Sequence, residues 1–170
     1  MDDGAKILVD GLLKAIKAER EGHSFYRMAA ETIEDAKAKE VFAHLAQEEL
    51  DHAEFLTRHY EAVLKTGQIA GSATLGKRLS LAHSFPIFSQ GIKARIREAH
   101  FEMTALSIGI RLELEAMRFY KSQANSTDDL GAKQFYSELA EWESGHYAAL
   151  LRQQEELKED YWSAGGFSPF

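Results

Sequence analysis

Leu45-Ala46-Gln47-Glu48-Glu49-Leu50-Asp51-His52 returns later in the chain as Leu139-Ala140-Glu141-Trp142-Glu143-Ser144-Gly145-His146, a shift of 94 residues. The same shift lays Glu19-Arg20-Glu21-Gly22-His23-Ser24-Phe25-Tyr26 on Glu113-Leu114-Glu115-Ala116-Met117-Arg118-Phe119-Tyr120, and no gap is needed between the two blocks. Over residues 14–58 against 108–152 about a third of the positions are identical, so the chain is built from an internal repeat. Polar residues that survive in both halves include Glu19/Glu113, Glu21/Glu115, Tyr26/Tyr120, Glu49/Glu143 and His52/His146.

Working outward, apolar residues fall at helical spacing on both sides of these blocks. Leu8, Leu12, Ala15, Ile16, Phe25, Tyr26 and Ala29 predict a helix over 5–33, with Asp2 or Asp3 as its cap. Thr32-Ile33-Glu34-Asp35 reads as a tight reversal. Val41, Phe42, Leu45, Leu56, Val63 and Leu64 predict a second helix over 36–65, closed by Gly67. Scattered Gly, Ser and Thr with Pro86 mark a long connection over 67–89, within which Thr74 to Ala82 reads as a short helix. A third helix is expected to begin between Phe88 and Arg97 and to run to about Ala124. Asn125 to Asp129 is a turn with a ready cap, and a fourth helix runs from about Leu130 to Lys158. The expected architecture is all-α: a four-helix bundle of two hairpins joined by a long crossover over 1–160, followed by an irregular aromatic tail over 161–170.

Glu49 and His52, like Glu143 and His146, are three residues apart and share one helix face. The midpoint between Glu19 and Glu49 falls at residue 34, inside the first reversal, and that between Glu113 and Glu143 at residue 128, inside the second. Each Glu therefore lies ~15 residues, or roughly 22 Å, from its turn, at the height of its partner. If both sets face inward, Glu19, Glu49, His52, Glu113, Glu143 and His146 converge. Four buried carboxylates repel one another and are costly to desolvate. A pair of divalent ions offsets that cost, and oxygen-rich ligation with one imidazole per ion suits Fe, Mn or Co. Tyr26 and Tyr120 lie two turns beyond Glu19 and Glu113 on the same face, placed to donate hydrogen bonds to the ligand carboxylates of the opposite hairpin.

One Glu plus one Glu-x-x-His, used twice, is similar to the pattern of ferritin-like di-iron carboxylate bundles. Within that group the repeated Glu-x-x-x-x-x-Phe-Tyr and Leu-Ala-x-x-Glu-x-x-His most resemble the rubrerythrin family, over about residues 6–158. The resemblance implies two Fe ions, oxo- or hydroxo-bridged when oxidised, with Mn as the alternative. It also implies reduction of hydrogen peroxide or O2, and a homodimer. Rubrerythrins proper carry a cysteine-ligated rubredoxin domain. This chain has no cysteine, so an external, rubredoxin-like electron donor is expected. Other members carry an extra carboxylate one turn from the third-helix ligand, where this chain has Ile110 and Ala116, which implies a simpler and more symmetric site.

Composition narrows the alternatives. The net charge of −7 argues against nucleic acid as a partner, and no apolar run approaches the ~20 residues of a membrane span. The acidic start Met1-Asp2-Asp3, with Lys6 and Asp10 following, lacks the pattern of a secretory signal, so the cytoplasm is the expected location. Competing readings are a ferroxidase or iron store, a dimanganese catalase-like protein, and a helical interaction module without metal. Glu21, Glu115, Glu48, Asp51 and Glu141 are expected off the site. His23, His44, His59, His83 and His100 have no His partner in the repeat and are read as surface or core. The basic residues Lys77, Arg78, Lys93, Arg95 and Arg97 are read as a solvated face or a donor-docking patch.

Overall fold

The computed structural model describes residues 3–70 and 86–165. Helix α1 (Asp3–Thr32) and helix α2 (Ala36–Thr66) form the first hairpin. After the crossover, a 3-10 segment (Gln90–Glu98), kinked at Arg95, leads into helix α3 (His100–Ser126), which pairs with helix α4 (Leu130–Ala164). Among the described residues there are no strands, and no helix is long and apolar enough to cross a membrane. The all-α two-hairpin bundle read from the sequence is the observed architecture. His83, Lys77, Arg78, the Asp2 cap and the short helix expected over Thr74 to Ala82 lie outside the described residues.

Both hairpin turns use the same device, inherited through the repeat. Asp35 caps α2 by accepting from the Ala38 amide at 3.0 Å, and Asp129 caps α4 by accepting from Ala132 at 2.7 Å. Asp35 also accepts from the Ser89 amide and hydroxyl, tying the end of the crossover to the first turn. Helix α2 stops at Gly67, whose φ of 78° is left-handed and whose amide closes on Val63.

The hairpins run antiparallel, so the turn of one lies at the open end of the other. One apolar cluster joins Ile33, Val41, Phe42 and Leu45 near the first turn to Leu106, Leu150 and Leu157 of the second hairpin. The other joins Leu8, Leu12 and Val63 to Ala132, Phe135 and Leu139 near the second turn. Ile87 and Phe88, at the end of the crossover, are buried in the first cluster. Their amides donate to Gln153 Oε1 of α4.

Three sequence expectations change. Helix α4 runs to Ala164, so Tyr161 to Ala164 are helical rather than irregular, and residues 166–170 of the expected tail lie outside the described residues. Leu157, Tyr161 and Ala164 continue the apolar face onto the first cluster, and Tyr161 Oη meets His100 Nδ1 at 2.7 Å. The third helix is preceded by a 3-10 segment because Arg95 leaves helical geometry there to reach Glu34 at 3.1 Å and buried Glu102 at 2.5 Å. The basic stretch is also partly paired: besides Arg95, Lys93 meets Asp160 at 3.0 Å, so these two serve as ties across the bundle end.

His59 is a buried liability. It is 1% exposed, lies between the rings of Phe55 and Phe135 at 4.4 and 4.6 Å, and neither ring nitrogen has a hydrogen-bond partner. Burial, helped by the neighbouring Arg58, holds its pKa below the usual value. A lowered imidazole pKa means the unfolded chain binds the extra proton more readily, so stability is lost as pH falls below about 6.5. His59→Leu is expected to stabilise the protein by about 1–2 kcal/mol at pH 7, and by more at pH 5. Urea melts at the two pH values check this, and an equal gain at both contradicts it.

Candidate metal centre

Between the two apolar clusters lies one buried polar layer. Glu19 from α1, Glu49 and His52 from α2, Glu113 from α3, and Glu143 and His146 from α4 are each no more than 4% exposed. The structure brings all six together. Ligand atoms of Glu19, Glu49 and His52 lie within 4.8 Å of one another, and so do those of Glu49, Glu113, Glu143 and His146. Glu49 belongs to both groups. Glu143 also faces both: Oε1 is 3.3 Å from His52 Nδ1 and Oε2 is 3.6 Å from His146 Nδ1. The two imidazole rings lie nearly parallel, with centroids 6.0 Å apart. One carboxylate from each hairpin thus stands between two Glu/His pairs, which is the placement a bridging ligand needs.

The donor set passes a direct test of fit to two cations. Glu49 Oε1, both Glu143 oxygens and His146 Nδ1 are buried without a hydrogen-bond partner, a state that buried polar atoms avoid unless something else binds them. Gly22 makes room for the layer: a Cβ there would come within 3.1 Å of Glu49 Oε2. These carboxylate and imidazole groups fit a dinuclear metal site, and the centre fits a di-iron protein.

Electrostatics show how closely these groups are coupled. Burial lifts Glu49 well above the ordinary carboxylate range, and Glu19, Glu113 and Glu143 add repulsion. Burial likewise raises Glu113, which settles at about 7 against the pull of His146. Glu143 goes the other way: burial would raise it, but the adjacent His146 and His52 hold it well below its usual value. Burial alone would lower both histidines. For His52 the carboxylates of Glu143 and Glu19 override it, for His146 chiefly that of Glu113, and both pKa values rise.

The tyrosines cross between hairpins. Tyr26 Oη on α1 donates to Glu113 Oε1 on α3, and Tyr120 Oη on α3 donates to Glu19 Oε1 on α1. Burial and the adjacent carboxylates push both hydroxyls well above the normal phenol value, so both stay protonated donors. Glu21 and Glu115 are exposed, and none of the described His23, His44, His59 and His100 joins a candidate ligand group.

Glu48 corrects the sequence reading, which put it on the wrong face. Its Oε2 accepts from His146 Nε2 at 2.9 Å, across the bundle. That bond fixes the proton on Nε2 and turns Nδ1 toward the carboxylates. The repeat places Trp142 at the equivalent position, and its ring meets His52 edge-on at 5.2 Å. His52 Nε2 has no hydrogen-bond partner. The two halves are therefore less symmetric than expected, because a carboxylate backs one imidazole and an indole the other. Unequal residues at repeat-related positions were the available signal. Glu48→Gln is expected to weaken metal binding about 10–100-fold, read by Co(II) titration. Unchanged affinity contradicts this role.

A cavity of about 240 Å3 reaches the layer between α1 and α3, touching Glu19, Glu49, Glu113, Tyr26 and Tyr120. No curated protein and no solved structure gives a significant match to this chain. The family model described as Rubrerythrin matches residues 10–153, a span that takes in both hairpins and every residue of the polar layer. With that match over most of its length, the chain belongs to the rubrerythrin family.

Proposed function

We propose that this protein is a non-haem di-iron oxidoreductase that reduces hydrogen peroxide, with O2 as a slower oxidant. The observation that carries the reading is the pair Glu49 and Glu143, one from each hairpin, each set between two Glu/His pairs in a buried layer that a cavity reaches. Two Fe ions held by Glu19, Glu49, His52, Glu113, Glu143 and His146 would cycle between +2 and +3 and supply two electrons. The chain's own residues do the rest. Tyr26 and Tyr120 keep their protons and hold Glu113 and Glu19 in orientation. Glu48 fixes the tautomer of His146. The apolar clusters cover the layer on both sides and leave the cavity as its approach. The balance is one peroxide, two electrons and two protons to two waters.

With no cysteine in its 170 residues, the reading assigns electron delivery to a separate, rubredoxin-like donor protein. It places the protein in the cytoplasm as a homodimer. The test is anaerobic stopped-flow reoxidation of the Fe(II)-loaded protein. Reoxidation faster with H2O2 than with O2 is the expected result, and reoxidation no faster with H2O2 overturns the peroxidase reading.

A further inference from the structure

The cavity in front of the polar layer is larger and more apolar than hydrogen peroxide requires. Its volume is about 240 Å3, against about 30 Å3 for one water in the liquid, and peroxide is little larger than water. Glu19, Glu49, Glu113 and the two tyrosines form its polar part. Gly22, Leu112, Ala116 and Phe119 line the inner wall, and exposed Lys14, Ala18, Glu21 and Glu115 mark its opening to solvent. Two further cavities, one beside Lys121 and Ser144 and one beside His23 and Gln47, touch none of the six candidate ligands. Apolar walls give peroxide nothing to bind, whereas they favour a hydrocarbon group brought out of water.

We propose that this cavity is a binding site for the hydrocarbon group of an organic hydroperoxide, with the –OOH end toward Glu19, Glu49 and Glu113. This deepens the peroxidase reading and rests on it. The step is R–O–O–H plus two electrons and two protons to R–OH and water. The O–O bond breaks, two equivalents of the external one-electron donor protein are oxidised, and the protons come from solvent. Ala116 is the residue where size matters most: it lies one turn beyond Glu113, and a larger side chain there fills the space in front of the layer.

The experiment uses the full chain and two readouts. First, 2-phenyl-2-propanol, the redox-inert product of cumene hydroperoxide, is titrated into metal-free protein and followed by saturation-transfer NMR. Saturable binding that is lost in Ala116→Phe is expected. Leu112→Trp serves as a second filling variant if Ala116→Phe does not fold. Second, the Fe(II)-loaded protein is reoxidised with cumene hydroperoxide and with H2O2. The ratio of the two rates is expected to fall at least roughly tenfold in the filled variant. No binding of the alcohol, binding that survives the filled cavity, or an unchanged rate ratio overturns the proposal. Fast reoxidation by H2O2 without alcohol binding removes only the cavity assignment. Alcohol binding without peroxide reoxidation removes the peroxidase reading, and the hydroperoxide substrate with it.

Discussion

Loading the metal-free protein with Fe(II) under anaerobic conditions, or with Mn(II), will raise its melting temperature by about 8–16 °C for each ion bound at a free metal concentration near 1,000 Kd. Binding at that level stabilises the folded state by about 4 kcal/mol per site, and a domain of this length gains roughly 2–4 °C per kcal/mol. The source of the gain is the polar layer. Without metal, four carboxylates and two imidazoles are buried together, with three oxygens and two ring nitrogens unsatisfied. The gain depends on pH because metal binds the deprotonated ligands. Glu113 titrates at about 7, and burial raises Glu49 above the carboxylate range. Metal must therefore displace more protons at pH 6 than at pH 8, and the thermal gain will be smaller at pH 6. Melting curves with and without metal at the two pH values check this. No gain, or a gain independent of pH, contradicts it.

The second large effect is a pair of substitutions with opposite signs. Glu49→Gln and Glu143→Gln each remove a carboxylate that faces both halves of the layer, so both are expected to abolish dinuclear loading. In the metal-free protein they part. Burial and three carboxylate neighbours raise Glu49. A carboxyl whose folded pKa exceeds its unfolded value of about 4.3 costs stability at neutral pH, and that cost disappears as pH falls below the unfolded value. Glu49→Gln will therefore stabilise the metal-free protein by about 1–3 kcal/mol at pH 7 and by almost nothing at pH 4. Glu143 is instead the counter-ion of His52 and His146, whose adjacent imidazoles hold it low. Glu143→Gln leaves two buried cations short of a partner and will destabilise the metal-free protein by about 3–5 kcal/mol. Urea melts of both variants decide the matter, and a shift of the same sign in both contradicts this charge assignment.

Much of this layer is legible in the repeat alone. Glu and Glu-x-x-His at matched distances from two reversals place six residues at one height, and antiparallel hairpins bring those heights together. Tyr26 and Tyr120 reach the opposite hairpin as their spacing suggests. Glu48 escapes such a reading because a face argument works within one helix, and its partner His146 is on another. Asymmetry hides it as well, since the repeat puts Trp142 at the matching position. The helical end of α4 is readable from Leu157, Tyr161 and Ala164 at four- and three-residue spacing, but the aromatic and glycine-rich composition that follows masks the period. The kink at Arg95 depends on its pairing with buried Glu102 and with Glu34, which local propensity does not encode.

Metal content per chain tests the central claim most directly. The protein is loaded anaerobically with Fe(II), excess metal is removed by gel filtration, and iron and protein are quantified on the same sample. About two Fe per chain, falling below one in Glu143→Gln, is the result this account predicts. Less than one Fe per chain in the unmodified protein, or loading that Glu143→Gln leaves intact, would contradict it.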